Sequence, residues 1–253
     1  MKLDHIESKA LAVALKAHAA QHPIPAGYEV VLCPSFDSLP IVAAAIEGSG
    51  MAVGAQDVYW QEKGAFTGEV SASMVRAHGC KYVIVGHSER RKYLRETDEM
   101  INGKVKAVLD AGMTPILCVG ETYEERHENM TELVIMRQVI EALKGIPLKS
   151  SDSIVIAYEP VWVIGTGQAI DPTMAEIAAR VIHQSLVDLL PVDVVMRQTR
   201  TIYGGSVDAS NIASYVAVPL MSGALVGSAS LVADTFINLL STVYAHHATP
   251  ITR

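Results

Sequence analysis

The chain repeats one pattern seven times: a short apolar run, then an amphipathic stretch. The runs are VVLC (30–33), AVGAQ (52–56), YVIVG (82–86), PILCVG (115–120), IVIAYE (154–159), TIYGG (201–205) and ALVG (224–227). Each is short, rich in β-formers and apolar at successive rather than alternate positions. A strand of that kind must be covered on both faces, as in a parallel sheet flanked by helices. Helical periodicity fills the intervals, near 39–48, 71–79, 97–111, 131–144, 173–190, 208–216 and 230–245. Strand–helix alternation predicts parallel βα units. No linker or low-complexity tract divides them, so residues 1–253 read as a single domain.

An eighth helix opens the chain in MKLDHIESKALAVALKAHAA, with Ile6, Ala10, Val13, Ala14 and Ala17 on one face and no strand before it. Seven strands and eight helices fit an eight-unit α/β barrel, a (β/α)8 fold of about 250 residues, with its first strand unaccounted for. The rival is an open doubly wound sheet. Its nucleotide-binding fingerprint is lacking, because GTGQAI (165–170) has no third Gly and comes too late in the chain.

Composition narrows the function. The net charge is −7, and the densest basic stretch, HSERRKYLRE (87–96), is broken by Glu89 and Glu96, so no nucleic-acid partner is expected. Cys33, Cys80 and Cys118 have neither metal-like nor redox spacing and read as reduced thiols in a cytoplasmic protein. No apolar run is long enough for a bilayer, so no membrane partner is expected. The His residues are scattered, the adjacent pair His246–His247 lying in a polar C-terminal tail, and no metal site is expected.

Barrels of this kind carry their chemistry at the C-terminal ends of the strands. The run at 82–86 leads into His87-Ser88-Glu89, and that at 154–159 ends on Glu159, ahead of PVWVIGTG. One His and one Glu at strand ends form a candidate acid–base pair. The Gly-rich turns GTG, YGGSV and VGSAS offer unobstructed backbone N–H groups, as a phosphate cradle needs.

With these placements the chain resembles the triosephosphate isomerase family. The resemblance rests on GAFTGEVSASM (64–74), IVGHSERR (84–91), CVGET (118–122), AYEPVWVIGTG (157–167), YGGSV (203–207) and GALVGSASL (223–231), and it covers nearly the whole chain. It implies a TIM barrel that interconverts dihydroxyacetone phosphate and glyceraldehyde 3-phosphate through an enediolate. Glu159 would be the base and His87 the electrophile. The family is itself a worked case of a carboxylate base beside a neutral imidazole, so the neutral-His role comes from the resemblance and not from the residues. Glu89 would order the charged groups of the pocket, and Cys118 would be a structural thiol near Glu159. Residues 160–167 would form a lid, with Pro160, Val161 and Trp162 at one hinge and Gly165, Thr166 and Gly167 at the other. Gly165, Ser206, Gly227 and Ser228 would hold the phosphate. Phe66, Thr67 and Gly68 would lie in a finger that enters a second subunit, making a homodimer. No cofactor is implied.

Two departures from the family pattern stand out. Ser228 replaces the usual second Gly; if the backbone there needs a positive φ, Ser costs on the order of 1 kcal/mol, and if not its hydroxyl could add a phosphate contact. The second concerns the opening. Leu3, His5 and Glu7 set a register in which Met1 follows directly on the family's first strand and its Asn-Trp-Lys; a rival register makes Lys2 the catalytic Lys. The first register leaves two expectations: a start assigned to an internal Met, or a truncated barrel, weak or inactive in catalysis, that binds phosphorylated ligands or a partner.

Overall fold

The computed structural model describes residues 2–248. Met1, which the first register places directly after the family's first strand, lies outside them. Seven parallel strands form one sheet in sequential order: β1 (Val31–Leu32), β2 (Ala52–Ala55), β3 (Cys80–Val85), β4 (Thr114–Val119), β5 (Ile154–Tyr158), β6 (Thr199–Tyr203) and β7 (Met221–Ala224). Every neighbouring pair is parallel. β1 and β7 end the order and are not paired with each other. The sheet curls, so that Glu29, just before β1, accepts from Tyr82 Oη of β3 at 2.6 Å and pairs with Arg200 of β6. These contacts close one end of a TIM-type barrel.

The helices are α1 (His5–Gln21), α2 (Leu39–Ile46), α3 (Ala72–Ala77), α4 (Ser88–Tyr93), α5 (Asp98–Asp110), α6 (Tyr123–His127), α7 (Thr131–Leu143), α8 (Pro172–Leu189), α9 (Val192–Gln198), α10 (Ile212–Val216) and α11 (Ala233–Ala248). The eight expected helices are present; α4, α6 and α9 are additional, each of seven residues or fewer and too short to show a period. Three boundaries need correction. β6 begins before the expected 201–205 and ends at Tyr203, its ladder to β5 starting at Thr199. β7 runs earlier than 224–227, since the polar-looking Met-Ser-Gly segment carries the ladder to β6. The helix expected over 208–216 begins at Ile212, because Asp208 accepts from Ser210 N at 2.8 Å and Asn211 Oδ1 accepts from Asp208 N, a local turn that competes with helix. His246 is in α11 and not in a tail.

α1 starts where a capping box forms: Asp4 accepts from Ile6 N and Glu7 N, and Glu7 accepts from Asp4 N at 2.9 Å. Its buried face is not the expected one. Ser8, Ala12 and Leu15 are buried, while Ile6 and Val13 are 66% and 50% exposed. An alanine-rich helix offers apolar spacing on two faces, and Leu15, the largest buried side chain of α1, lies on the inward one.

Strand side chains alternate between two compartments. Ile84, Ile116, Cys118, Val155 and Ala157 pack inside the barrel, with Tyr82, Ile202 and Leu225 against them. Val83, Val85, Leu117, Val119, Ile154 and Ile156 face the helices. A cluster of four charges is packed beside β2 and β3. Lys104 of α5, 2% exposed, donates to both Asp57 oxygens at 2.7 and 2.8 Å and to Glu96. Arg90 of α4 bridges the same two carboxylates at 2.8 and 2.7 Å. Burial pushes the Asp57 carboxyl up to about 6, against the pull of Lys104. Removing one member of such a cluster strands the others, so Lys104→Met should cost about 3–5 kcal/mol, read as a lowered urea midpoint.

Candidate active site

The inward parity of β5, through Val155 and Ala157, brings Glu159 to the rim of the barrel interior. The carboxylate is held there at 2% exposure. Its Oε2 accepts from Ser88 N at 2.9 Å, and its Oε1 lies 2.9 Å from His87 Nε2. The backbone N–H of Glu159 donates to Val119 O at 2.7 Å. Gly120 makes this junction possible, because a Cβ there would sit 1.7 Å from Glu159 O. The polar backbone of Gly120 is satisfied by the buried Gln138 of α7, which bonds both its N–H and its C=O.

His87 is the N-cap of α4. After β3 the chain turns at Gly86 (φ +72°), and His87 Nδ1 accepts from Glu89 N at 3.2 Å. Arg91 fixes this turn by donating to Gly86 O at 2.8 Å and to Cys118 O on the next strand. Burial lowers the His87 pKa, the Glu159 and Glu89 carboxylates together raise it by more, and the net direction is upward. The amide bond at Nδ1 works the other way, since an imidazolium has no lone pair there. In the neutral ring that accepts this bond, the proton is on Nε2, facing Glu159. Cys118 is fully buried, and burial together with the nearby Glu159 charge holds its thiol well above the usual range.

The segment after Glu159 has a latch that the sequence did not announce. Glu121, fully buried at the end of β4, accepts from Trp162 Nε1 at 2.9 Å and from Tyr158 Oη at 3.2 and 3.3 Å. The Arg126 guanidinium lies 3.9 Å from Glu121 and 4.3 Å above the Trp162 ring. Burial raises the Glu121 carboxyl despite these donors. The motif CVGET contains Glu121, but only the fold shows that it meets Trp162. Pro160 and Val163 are buried, Val161 and Trp162 lie in a 3-10 turn, and Gly165, Thr166 and Gly167 are exposed. The proposed lid thus has a fixed entry and an exposed crown.

Ser206 follows β6, Gly227 and Ser228 follow β7, and Gly165 lies in the crown, all on the same side of the sheet as Glu159 by strand direction. The stretch from Asp57 to Ser71 leaves the barrel as an excursion that is exposed over 61–69 and closed at its base by Tyr59 N to Val70 O at 2.8 Å. Phe66, Thr67 and Gly68 are exposed at its tip, where Phe66 leans on Tyr59 with ring centroids 4.6 Å apart. Among the described residues there is no group of three or more His, Cys, Asp or Glu that could hold a metal ion, and no helix long and apolar enough to cross a membrane.

The sequence profile of the family described as triosephosphate isomerase matches residues 1–243. A triosephosphate isomerase of Carboxydothermus hydrogenoformans is 47% identical over 210 residues, which is 83% of this chain and 83% of the relative. The chain is 43% identical to that of Chlorobium luteolum over 235 residues, 93% of each. The chain belongs to the triosephosphate isomerase family.

Against the triosephosphate isomerase pattern, the departure at Ser228 carries no positive-φ strain. Ser228 opens a 3-10 turn, and the non-Gly residues with positive φ among those described are Arg95, Asn129 and Leu220. The Glu89 carboxylate is 70% exposed and lies 4.0 Å from His87 Nδ1. The latch itself is open to test. Trp162→Phe keeps the ring but removes a donor from a buried carboxylate, and should lower stability by about 1–3 kcal/mol in chemical denaturation.

Proposed function

We propose that this chain interconverts dihydroxyacetone phosphate and glyceraldehyde 3-phosphate. Membership of the family supports the reaction, and one observation carries the assignment of residues: Glu159 and His87 Nε2 meet at 2.9 Å on the barrel rim, beside a lid segment. Moving a proton between adjacent carbons α to a carbonyl needs a base over the carbon and a donor at the oxygen where charge develops. Glu159 takes the proton, and His87 donates from Nε2 and returns protons to the two oxygens in turn. The chemistry requires neither a hydride carrier nor a metal. Gly165, Ser206, Gly227 and Ser228 hold the phosphate by backbone N–H groups, and Glu89 orders the charges around it. Closure of residues 160–167 excludes water and keeps the enediolate from expelling its phosphate.

The reading extends to assembly and location. The exposed Phe66-Thr67-Gly68 tip suits insertion into a second copy, giving a homodimer, and the reduced thiols suit the cytoplasm.

Steady-state assays with glyceraldehyde 3-phosphate test the roles. Glu159→Asp withdraws the carboxylate by one methylene. A misplacement of about 1 Å costs on the order of 10²-fold, so kcat should fall by that factor with KM little changed. An unaltered kcat would remove Glu159 from the role of base. His87→Gln keeps a donor but loses the proton shuttle, and kcat should drop by about 10²–10⁴-fold. A lowered Tm with full activity would instead make His87 a packing residue.

A further inference from the structure

The exit of the lid segment is pinned by a residue outside every motif that pointed to the site. Tyr215, in α10, is 1% exposed. Its hydroxyl donates to the backbone carbonyl of Ile170 at 2.5 Å. Ile170 is itself buried and directly precedes Asp171, the N-cap of α8. Residues 165–169, between the crown and this bond, are all exposed. The bond therefore marks where loop ends and fixed structure begins.

The Tyr215 ring also stacks on Tyr203, with centroids 3.9 Å apart and planes 11° from parallel. Tyr203 ends β6 and leads into the Gly204-Gly205-Ser206 turn assigned to phosphate. Its hydroxyl is tucked beneath that turn: a Cβ on Gly205 would lie 2.1 Å from it. The Tyr203 hydroxyl sits beside the Tyr215 hydroxyl and the Ile170 backbone, yet completes no hydrogen bond. On its other side Tyr203 approaches Tyr158, whose hydroxyl serves Glu121 at the entry of the lid. Three tyrosines thus run beneath the segment from one end to the other.

We propose that Tyr215 is a positioning residue for the lid, pinning its exit through the Ile170 carbonyl and holding Tyr203 against the phosphate turn. The inference rests on the isomerase reading above. A hinge can absorb a backbone rotation only if the chain beyond it stays fixed, and a buried carbonyl without a donor does not stay fixed cheaply. Tyr215 touches no reacting atom; it acts through Ile170 and Tyr203.

The test is Tyr215→Phe, which keeps the stack and removes the hydroxyl. Three readouts are taken together: kcat and KM for isomerisation, the fraction of turnovers that end in methylglyoxal and free phosphate, and Tm. The expected result is kcat lower by about threefold to tenfold, KM within about twofold, and a methylglyoxal fraction raised by a similar factor, at a temperature where the variant is folded. A changed Tm with unchanged kcat and methylglyoxal fraction makes Tyr215 a core residue only, and overturns the proposal. If the variant does not fold, hydrogen exchange on the unaltered chain decides. Amides at 174–176, in the first turn of α8, should be protected in the free protein while those at 165–169 exchange fast, and equally fast exchange across both overturns it. Absence of isomerisation by the unaltered chain would instead defeat the isomerase reading, and the exchange result would still judge the hinge.

Discussion

Parallel strands covered on both faces leave little freedom for polar side chains. Along β3, β4 and β5 each residue belongs either to the barrel interior or to the helix-facing layer, and both are filled with apolar groups. Polar side chains can collect only at the strand ends. At one end Glu29, Tyr82 and Arg200 cap the interior. At the other, the parity of β5 delivers Glu159, and the turn at Gly86 delivers His87. The chemistry sits where the apolar alternation runs out.

A second constraint holds the rim in shape. The Asp57–Arg90–Lys104–Glu96 cluster joins the base of the exposed excursion to α4 and α5. His87 caps α4 at one end, and Arg90 enters the cluster one turn later. A buried ion cluster contributes little net stability compared with apolar packing, but it penalises any arrangement in which its members are apart. Its effect here is geometric: the helix that orients His87 cannot drift relative to the base of the excursion.

Much of this was legible in the sequence, for physical reasons that differ by element. β2 to β5 stood out because burial on both faces writes a nearly continuous apolar run; β6 and β7 were displaced because their ladders begin in polar segments, at Thr199-Arg200 and at Met221-Ser222-Gly223. The face of α1 was misread since alanine marks no side. Glu159 and His87 could be found because strand ends are local in sequence. Glu121, Gln138 and Tyr215 could not, because each acts across the fold on backbone or side chains that only tertiary structure brings near. The Asp4–Glu7 capping box that fixes the start of α1 is local in sequence, yet the apolar periodicity that revealed the helix does not mark it.

The contact between Glu159 and His87 has a consequence for affinity. In the free arrangement the carboxylate occupies both the imidazole proton and the Ser88 amide. The proposed substrate needs that same imidazole proton for its carbonyl. The resting site is therefore one of two mutually exclusive populations, and only the other receives ligand productively. Measured affinity is then the intrinsic affinity multiplied by the fraction of molecules in which the pair has separated. A ligand that offers its own acceptor to His87 shifts that fraction. One that engages only the phosphate turns leaves it untouched, however firmly it is held.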